Sequence, residues 1–377
     1  MGNNEAKKER KNKYNRKKVA LAVVLLIVAT FAVIKLLSSI TSAILGHSIS
    51  SHAIEIETDA TSDYDYCNYN GGVLYMNSQG VKLYDSNGKY KSDVVFGAYN
   101  PYVEISGDYA VLCDMNSSKL ALMFKDKLYK EFETKQPVVF ATVNGNGDVA
   151  AVTSEKGYKS SVYIYDKKGN EKYIWHSGSG YIIDCALSSN GKKFVILSLN
   201  SENGKINSLV TWFDVSKEQP YGQVIIEDCF AYELMYTNSD AFVISGSGIY
   251  KTNPDEITDS VDFEGRVLLG FDIDSDNNIV TSQKVTNSQS RVVKYDKKLN
   301  VKYSKELEFE VDNISCSGKK TAVSGQNELL ILGKSGKTFA RGAMVGEAED
   351  ILLSENNEKI YSFSQDKIKI YSVKLGR

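Results

Sequence analysis

Histidine, proline and tryptophan are scarce in this 377-residue sequence, which contains three, four and two of them. His47 and His52 precede the repeated part of the chain, and His176 stands alone within it. This distribution disfavours histidine-based catalysis and a multi-histidine metal site, and we expect His176 to be a turn residue. The sequence also lacks a G-x-x-x-x-G-K-[ST] phosphate loop and a G-x-S-x-G nucleophile elbow.

Cysteine is present but forms no recognisable motif. The five residues are odd in number and scattered, without a C-x-x-C pair, which argues against a zinc or redox site. We expect buried free thiols that pack as small hydrophobic side chains, and a disulfide between Cys185 and Cys229 is the alternative outside the cell. The cysteines are Cys67, Cys113, Cys185, Cys229 and Cys316.

The composition favours a folded β protein. Apolar residues make up 42% of the sequence and charged residues 24%, which provides for a sizeable core and argues against extended disorder. Tyrosine, with 24 residues, and glycine, with 28, are plentiful, as expected for strands joined by many turns.

Charge is distributed unevenly along the chain. Residues 1–18 contain eight Lys or Arg and two Glu, whereas the remainder carries a net charge of −8. An acidic body does not attract a polyanion, so we expect no nucleic-acid partner. The basic tail is better explained by the apolar run that follows it.

Residues 19–34 are apolar and uncharged, and the apolar character resumes after Lys35. A helix over residues 19–39 supplies the roughly 20 residues that a bilayer core requires, and the basic tail marks its cytoplasmic side. The alternatives are a cleaved signal peptide, with a small-residue site at 41–43, and a buried core helix. We predict a single-pass cell-membrane protein with a cytoplasmic tail (1–18), a transmembrane helix (19–39), a stem (40–52) and an extracytoplasmic body (53–377).

A pattern of about 40 residues recurs through the body, which is the signature of a repeat architecture. Each copy has an alternating strand, a polar turn and a second apolar strand, and the turn residues reach the positive φ angles of tight hairpins. The copies span 65–78, 103–114, 141–154, 185–198, 233–246, 271–283, 314–325 and 352–364. Their turns are Asn70-Gly71, Gly107-Asp108, Asn146-Gly147, Asn190-Gly191, Ser239-Asp240, Asn277-Asn278, Ser317-Gly318 and Asn356-Asn357.

A second hairpin follows most copies. Its first strand ends in an aromatic or apolar residue and an Asp, whose carboxylate can bond to the backbone of its own turn. Each unit therefore offers four strands, and a four-stranded unit repeated radially is a propeller blade. The second hairpins cover 81–91, 162–173, 209–219 and 292–303, with a degenerate copy at 329–340.

The ends of the repeat predict how the ring closes. The last copy has only three strands, and residues 53–58 show the alternation of an additional strand. Pairing that segment as the outer strand of the last blade would leave no exposed sheet edge. We predict an all-β, eight-bladed propeller, and seven blades are the alternative because the fifth unit, 229–265, is irregular.

This repeat, with its YDxxG-like turns, resembles the PQQ-like and WD40-like β-propellers, and the blade count is similar to that of outer-membrane assembly lipoproteins. The anchor followed by a propeller is similar to an uncharacterised family of Clostridial (Gram-positive) proteins. The resemblance covers about residues 53–377 and implies architecture rather than activity. The WD40 dipeptide is absent, and Trp175 and Trp212 are too few for a repeated docking pattern, so no cofactor residues carry over.

Asp272, Asp274 and Asp276 have the alternate spacing of a calcium loop. Asn277 and Gln283 stand where that loop requires Gly and Glu, and the run falls on a hairpin turn of the repeat. We expect these residues to serve the turn, with calcium binding as the alternative.

The body carries no catalytic constellation, and the sequence assigns no catalytic, cofactor-binding, metal or ligand-binding residue. We predict a non-enzymatic interaction platform at the cell envelope, without a cofactor, whose partner is an envelope protein. One alternative is a sensor for an extracellular glycan or small ligand, which would signal through a partner because the 18-residue tail is short. The other is a propeller enzyme with its site on the blade loops.

Overall fold

The computed structural model describes Thr30 and residues 46–58, 63–237 and 239–375. Residues Ile49–Val373 form one compact unit. Apart from Thr30, the predicted tail (1–18) and transmembrane helix (19–39) lie outside the described residues. Within the described residues, no helix has the length and apolar character needed to cross a bilayer.

The described chain is built from β-strands. They are β1 (His47–Ile49), β2 (Ile54–Glu57), β3 (Tyr64–Tyr69), β4 (Gly72–Asn77), β5 (Gly80–Asp85), β6 (Tyr90–Val95), β7 (Pro101–Ser106), β8 (Tyr109–Asp114), β9 (Lys119–Phe124), β10 (Lys127–Glu133), β11 (Val138–Val143), β12 (Val149–Thr153), β13 (Ser160–Tyr165), β14 (Glu171–Ser177), β15 (Tyr181–Leu187), β16 (Lys193–Glu202) and β17 (Lys205–Asp214). The series continues with β18 (Gly222–Ile226), β19 (Ala231–Tyr236), β20 (Ala241–Ser245), β21 (Gly248–Thr252), β22 (Ile257–Asp262), β23 (Leu268–Ile273), β24 (Ile279–Thr286), β25 (Gln289–Tyr295), β26 (Val301–Leu307), β27 (Asn313–Ser317), β28 (Lys320–Gly325), β29 (Glu328–Leu332), β30 (Thr338–Ala343), β31 (Asp350–Leu353), β32 (Lys359–Ser364) and β33 (Lys367–Leu375).

Consecutive strands form antiparallel meanders. Six sheets have four strands each, from β3–β6 through β23–β26, and a nine-stranded sheet has the order β27-β28-β29-β30-β1-β33-β32-β31, with β2 also paired to β33. The first strand of a meander packs against the first strand of a neighbouring meander, as β3 does on β7 and β27 on β31. The prediction of an all-β propeller is confirmed.

The hairpin turns form where the sequence predicts them. Asn70 and Gly71 have φ angles of 50° and 72°, the left-handed conformation that a two-residue hairpin loop requires. In the second hairpin of the same sheet, Asp85 accepts hydrogen bonds from the N–H groups of Asn87 and Lys89. The bond from Lys89 is the main cause that lowers the pKa of this carboxyl.

Apolar cores lie between successive meanders. Eight buried clusters occur among the described residues, and each combines side chains from two neighbouring meanders. Leu74 and Leu112, from the first and second units, are both completely buried in one of them. A fully buried Leu contributes roughly 1.5–3 kcal/mol relative to an exposed one, so these interfaces hold adjacent units together.

The N-terminal segment provides the closing strand. β2 pairs antiparallel with β33, with Ile54 opposite Ile370 and Glu57 opposite Lys367. The N–H of Ser50 donates to the carbonyl of Ser372 at 2.8 Å, so the chain reaches β2 from the end of the sheet where β33 finishes. The predicted pairing of residues 53–58 with the last repeat is confirmed.

The structure corrects one sequence expectation and confirms another. His176 lies within β14, an outer strand, and not in a turn, because the strand continues beyond Trp175 to Ser177. The expectation of free thiols is confirmed, because all five cysteines are free and four of them are buried. The alternative disulfide does not form, since Cys185 and Cys229 belong to different core clusters.

The fifth unit is regular, contrary to the expectation. It forms a complete four-stranded sheet, β19–β22. Its second hairpin has Asn253 where other copies have a capping Asp such as Asp85, and Asn253 accepts from the N–H groups of Asp255 and Glu256. The irregular sequence thus reflects different turn chemistry and not a missing blade strand.

Candidate binding face

The meander gives the propeller two distinct faces. The turn face carries the hairpins between the first and second and between the third and fourth strands of each unit. The loop face carries the links from the second strand to the third and the links from one unit to the next. The links between units on the loop face cover residues 96–100, 134–137, 178–180, 227–230, 263–267, 308–312 and 344–349.

Exposed apolar side chains are concentrated on the loop face. Among the described residues, 18 large hydrophobic side chains are exposed, and 12 of them lie on its links or within two residues of a strand end that faces it. The other six lie at the starts of outer strands on the turn face. Seven of the 12 lie on links between units or at the start of first strands, and we name them the apolar collar: Tyr99, Val139, Tyr181, Phe230, Tyr232, Val267 and Val345.

The collar lies at the loop-face ends of the first strands, and these strands line a channel whose wall is acidic. The first strands of the units, β3, β7, β11, β15, β19, β23, β27 and β31, contain no Lys, Arg or His. They contribute six carboxylates instead. These channel acids are Asp65, Glu104, Asp184, Glu233, Asp272 and Asp350.

Several channel acids bridge adjacent units. The carboxylate of Asp184 accepts from the N–H of Leu234 in the next first strand at 2.6 Å. Asp65 accepts from Val103 and Asp272 from Cys316 in the same way, at 2.8 and 2.6 Å. Each bond satisfies one carboxylate oxygen and one backbone donor of a different unit. The acids are therefore part of the packing between blades as well as of the channel wall.

Burial raises the pKa values of these acids. It is the main cause for Asp184, whose pKa rises to about 6, and for Glu104, whose pKa rises to about 8. The pKa of Glu233 also rises to about 8, by burial and then by repulsion from Asp184 and Asp272. Glu233 is open to channel water although protein encloses it, so hydration offsets part of this penalty. Some channel carboxyls are thus protonated near neutral pH.

Two cavities follow the acidic wall. One has a volume of about 430 Å³ and opens at the loop-face ends of β3, β7 and β31. The other, of about 330 Å³, lies deeper and is lined by residues of β3, β23, β27 and β31. Tyr66 and Asp350 line both cavities, so the channel and its mouth share a wall.

A serine, histidine and glutamate meet on the loop-face side of the third unit, but not as a nucleophilic triad. Ser161 Oγ lies 2.7 Å from His176 Nδ1, and Glu155 Oε2 lies 3.2 Å from that same nitrogen. In a triad the nucleophile and the acid engage different ring nitrogens. Ser161 is also completely buried, so this cluster fixes the loop to β14 and gives no accessible nucleophile.

The turn role predicted for the aspartate run is confirmed for Asp274 and is wrong for Asp272. Asp274 caps its turn through bonds from Asp276 and Asn278 and forms a buried ion pair with Lys294 at 2.7 Å. Asp272 points instead to the next unit. The described part of the chain contains no group of three or more His, Cys, Asp or Glu residues placed to hold a metal ion.

Sequence reasoning missed the channel acids and the apolar collar. Each acid occurs once in a strand, and successive acids lie tens of residues apart, so no local motif joins them. The available signal was the absence of basic residues from all the first strands. The collar residues gave no signal at all, because they are isolated aromatic and aliphatic residues in polar loops.

Residues 47–373 match a family model described as "Family of unknown function (DUF5711)". No curated protein matches the sequence. The C-terminal WD40 domain of Sif2 is similar in structure, with a TM-score of 0.61, 13% identity and coverage of 85% of this chain and 98% of that one. BamB from Moraxella catarrhalis has a TM-score of 0.56 at 14% identity, over 86% and 97% of the two chains. These likenesses establish the propeller fold and confirm the predicted resemblance to WD40-like propellers.

Proposed function

The chain belongs to the family of unknown function DUF5711, and we propose that it is a membrane-anchored, non-catalytic propeller that binds a polypeptide partner outside the cell through its loop face. The apolar collar carries this proposal. Concentrated apolar side chains on one face of a soluble domain are typical of protein interaction sites. Tyr99, Tyr181 and Phe230 are half-exposed or more, and aromatic residues are the usual anchors of such interfaces.

The anchor part of the proposal rests on the sequence. Eight Lys or Arg within residues 1–18, followed by the apolar run, fit a cytoplasmic tail and a single transmembrane helix. The propeller would then be extracytoplasmic. Within the propeller the chain enters β2 from the turn-face end, so the loop face lies at the opposite end of that strand. This route leaves the collar available to a partner. The likeness to anchored Clostridial propellers is part of the same proposal.

We also propose that the ring has eight blades. The nine-stranded sheet then counts as two blades, β27–β30 and β31–β33 with β2, which β1 joins. The eight core clusters fit this count, because each lies between two successive units and the last combines residues of β32 and β33 with residues of β4 and β5.

Site-specific photo-crosslinking in living cells tests the function. A benzophenone amino acid replaces Tyr99 or Tyr181 in the collar, and Tyr90 or Tyr129 as matched exposed tyrosines on the turn face. We expect one adduct of constant mass from the collar positions and none from the turn face. Digestion by a protease added to intact cells checks that the propeller is extracytoplasmic.

Other outcomes would redirect the proposal. Equal labelling from both faces, or no protein adduct from either, would contradict a loop-face binding platform. Labelling by an envelope glycan in place of a protein would support the sensor alternative. Protection of the propeller from protease in intact cells, with digestion after lysis, would refute the extracytoplasmic location.

A further inference from the structure

The cavity at the channel mouth combines acidic and aromatic residues. None of the residues that line it is basic, although three carry carboxylates. The cavity lies where the last, first and second units meet on the loop face. Its lining consists of Asp63, Tyr64, Tyr66, Asn100, Pro101, Met115, Glu349 and Asp350.

Hydrogen bonds hold the acids and the tyrosines in place. The hydroxyl of Tyr64 donates to Glu349 Oε2, and the hydroxyl of Tyr66 donates to Asp350 Oδ2. The ring of Tyr66 is itself fixed by stacking on Phe363, with the ring centroids 3.6 Å apart. Glu349 keeps Oε1 as a further hydrogen-bond acceptor, whereas Asp350 Oδ1 already accepts from the N–H of Ile351 at 2.7 Å. The cavity is therefore prepared to accept hydrogen bonds next to aromatic surface.

Negative charge accumulates behind this cavity. Asp350 connects it to the deeper cavity, which Asp65 and Asp272 also line. A concave surface with charge of one sign focuses the electrostatic potential toward its mouth. A cation entering from the loop face is thus favoured, whereas an anion is repelled.

We propose that the mouth cavity receives an arginine or lysine side chain of the polypeptide that binds the loop face, while apolar residues beside that cation contact the collar. The cation would pair with Glu349 and Asp350 and lie against Tyr64 and Tyr66, an arrangement that combines charge-assisted hydrogen bonds with cation–π contact. This inference rests on the proposed function and names the chemistry of the partner.

Binding of a defined peptide pair to the full chain in phosphatidylcholine nanodiscs tests the proposal. The probes are acetyl-Leu-Arg-Leu-amide and its citrulline analogue, which has nearly the same shape but no charge, and binding is measured by saturation-transfer NMR. We expect the arginine peptide to bind about tenfold more tightly than the citrulline peptide, and added salt to reduce that preference.

Two double variants of equal net charge locate the site. E349Q/D350N removes two of the three carboxylates that line the mouth cavity, the two that would pair with the cation, whereas E347Q/D366N removes two exposed carboxylates from the same face outside the cavity. The first should abolish the preference for arginine, and the second should retain it. Circular dichroism on heating verifies that both variants are folded.

Several results would overturn the inference. These are equal binding of the two peptides, no saturable binding of the arginine peptide, a preference that salt does not change, or equal loss in the two double variants. Failure of the proposed function looks different. If the collar position Tyr99 still crosslinks a partner protein in the E349Q/D350N variant at an unchanged yield, only the cation inference fails. If Tyr99 crosslinks nothing in the wild-type background, the binding platform itself is wrong.

Discussion

The two faces of this propeller are fastened by different side chains. On the turn face, long polar side chains reach the next unit: Lys294 donates to the carbonyl of Gly318, and Asn144 donates to that of Ser188. On the loop face, short buried hydroxyls do the same work, as when Ser208 Oγ accepts from the N–H of Ala231. Because these serine side chains are short and buried, they do not cover the surface of the loop face, where bulky residues such as Tyr99 are exposed. One end of the repeat is thus suited to assembly and the other to recognition.

The largest effect is expected from the buried ion pair of the turn face. Lys294→Met leaves the completely buried carboxylate of Asp274 without its partner, and breaking a buried pair in this way costs about 3–5 kcal/mol. Urea denaturation measures the free energy of unfolding. The double variant K294M/D274N should recover part of the loss because it removes the isolated charge. Equal stability of wild type and K294M would show that the pair does not fasten the turn face.

A smaller effect is expected from a loop-face fastener. Ser208→Ala removes a buried hydroxyl that donates to Cys229 and accepts from Ala231, and the unsatisfied backbone groups should cost about 1–2 kcal/mol. Ser216→Ala is the control, because that exposed serine bonds only within its own turn on the turn face. We expect Ser208→Ala to lower the urea midpoint and Ser216→Ala to leave it unchanged, because only Ser208 bonds to a neighbouring unit. An equal decrease in both variants would contradict this role of the bonds between units.

Because burial raises the pKa values of the channel acids, the free energy of unfolding should depend on pH. The pKa of Asp184 rises from 3.8 to about 6 on folding, so the folded state binds this proton more tightly than the unfolded chain does. Stability from this group is complete below pH 3.8 and is lost as the pH rises through about 6. For Glu104 the same loss extends from 4.5 to about 8.

Unfolding by urea should therefore require more denaturant at pH 5 than at pH 8. The contribution of Asp184 is about 1 kcal/mol after allowance for channel water, and Asp184→Asn should flatten the dependence between pH 4 and pH 6. A midpoint that increases steadily from pH 5 to pH 8 in the wild type would contradict the assigned pKa shifts.

The smallest effect on stability is expected from the collar. Tyr99 is 85% exposed, so Tyr99→Ser should change the free energy of unfolding by no more than about 0.5 kcal/mol. The same change should reduce crosslinking of the partner from Tyr181 several-fold. Tyr90→Ser on the turn face should leave both quantities unchanged. If Tyr99→Ser lowered the free energy of unfolding without reducing crosslinking, Tyr99 would serve the fold and not recognition.

Much of the architecture was predictable because turn chemistry is local. Asn-Gly pairs and capping aspartates indicate a hairpin from about five consecutive residues. The closing strand was predicted from an alternating segment that had no partner within its own repeat. The outer hairpin of the second unit was not predicted, because its turn places Lys125 at a φ of 55° with no glycine to signal it. His176 was misassigned because the polar residues around it resemble a turn although they continue a strand.

The candidate site was not predictable, for a different physical reason. The channel exists only when the first strands gather around one axis, so the meeting of Asp65, Asp272 and Asp350 depends on contacts between units that lie far apart in sequence. No residue of the mouth cavity is unusual in its own segment. They form a site because they line one cavity together and none of the residues that line it is basic.

Because β2 pairs with β33, the ring can close only after the last strand of the chain has been synthesised. Lys367 of β33 contacts Glu55 of β2 across 312 residues of chain, so β2 is made early and has no partner until the last strand is released. Until then both ends of the blade series are open sheet edges, which can pair with other chains. In a chain that stops before β33, the ring cannot close even if all the other blades are folded. The fold thereby distinguishes finished molecules from unfinished ones by a single late step.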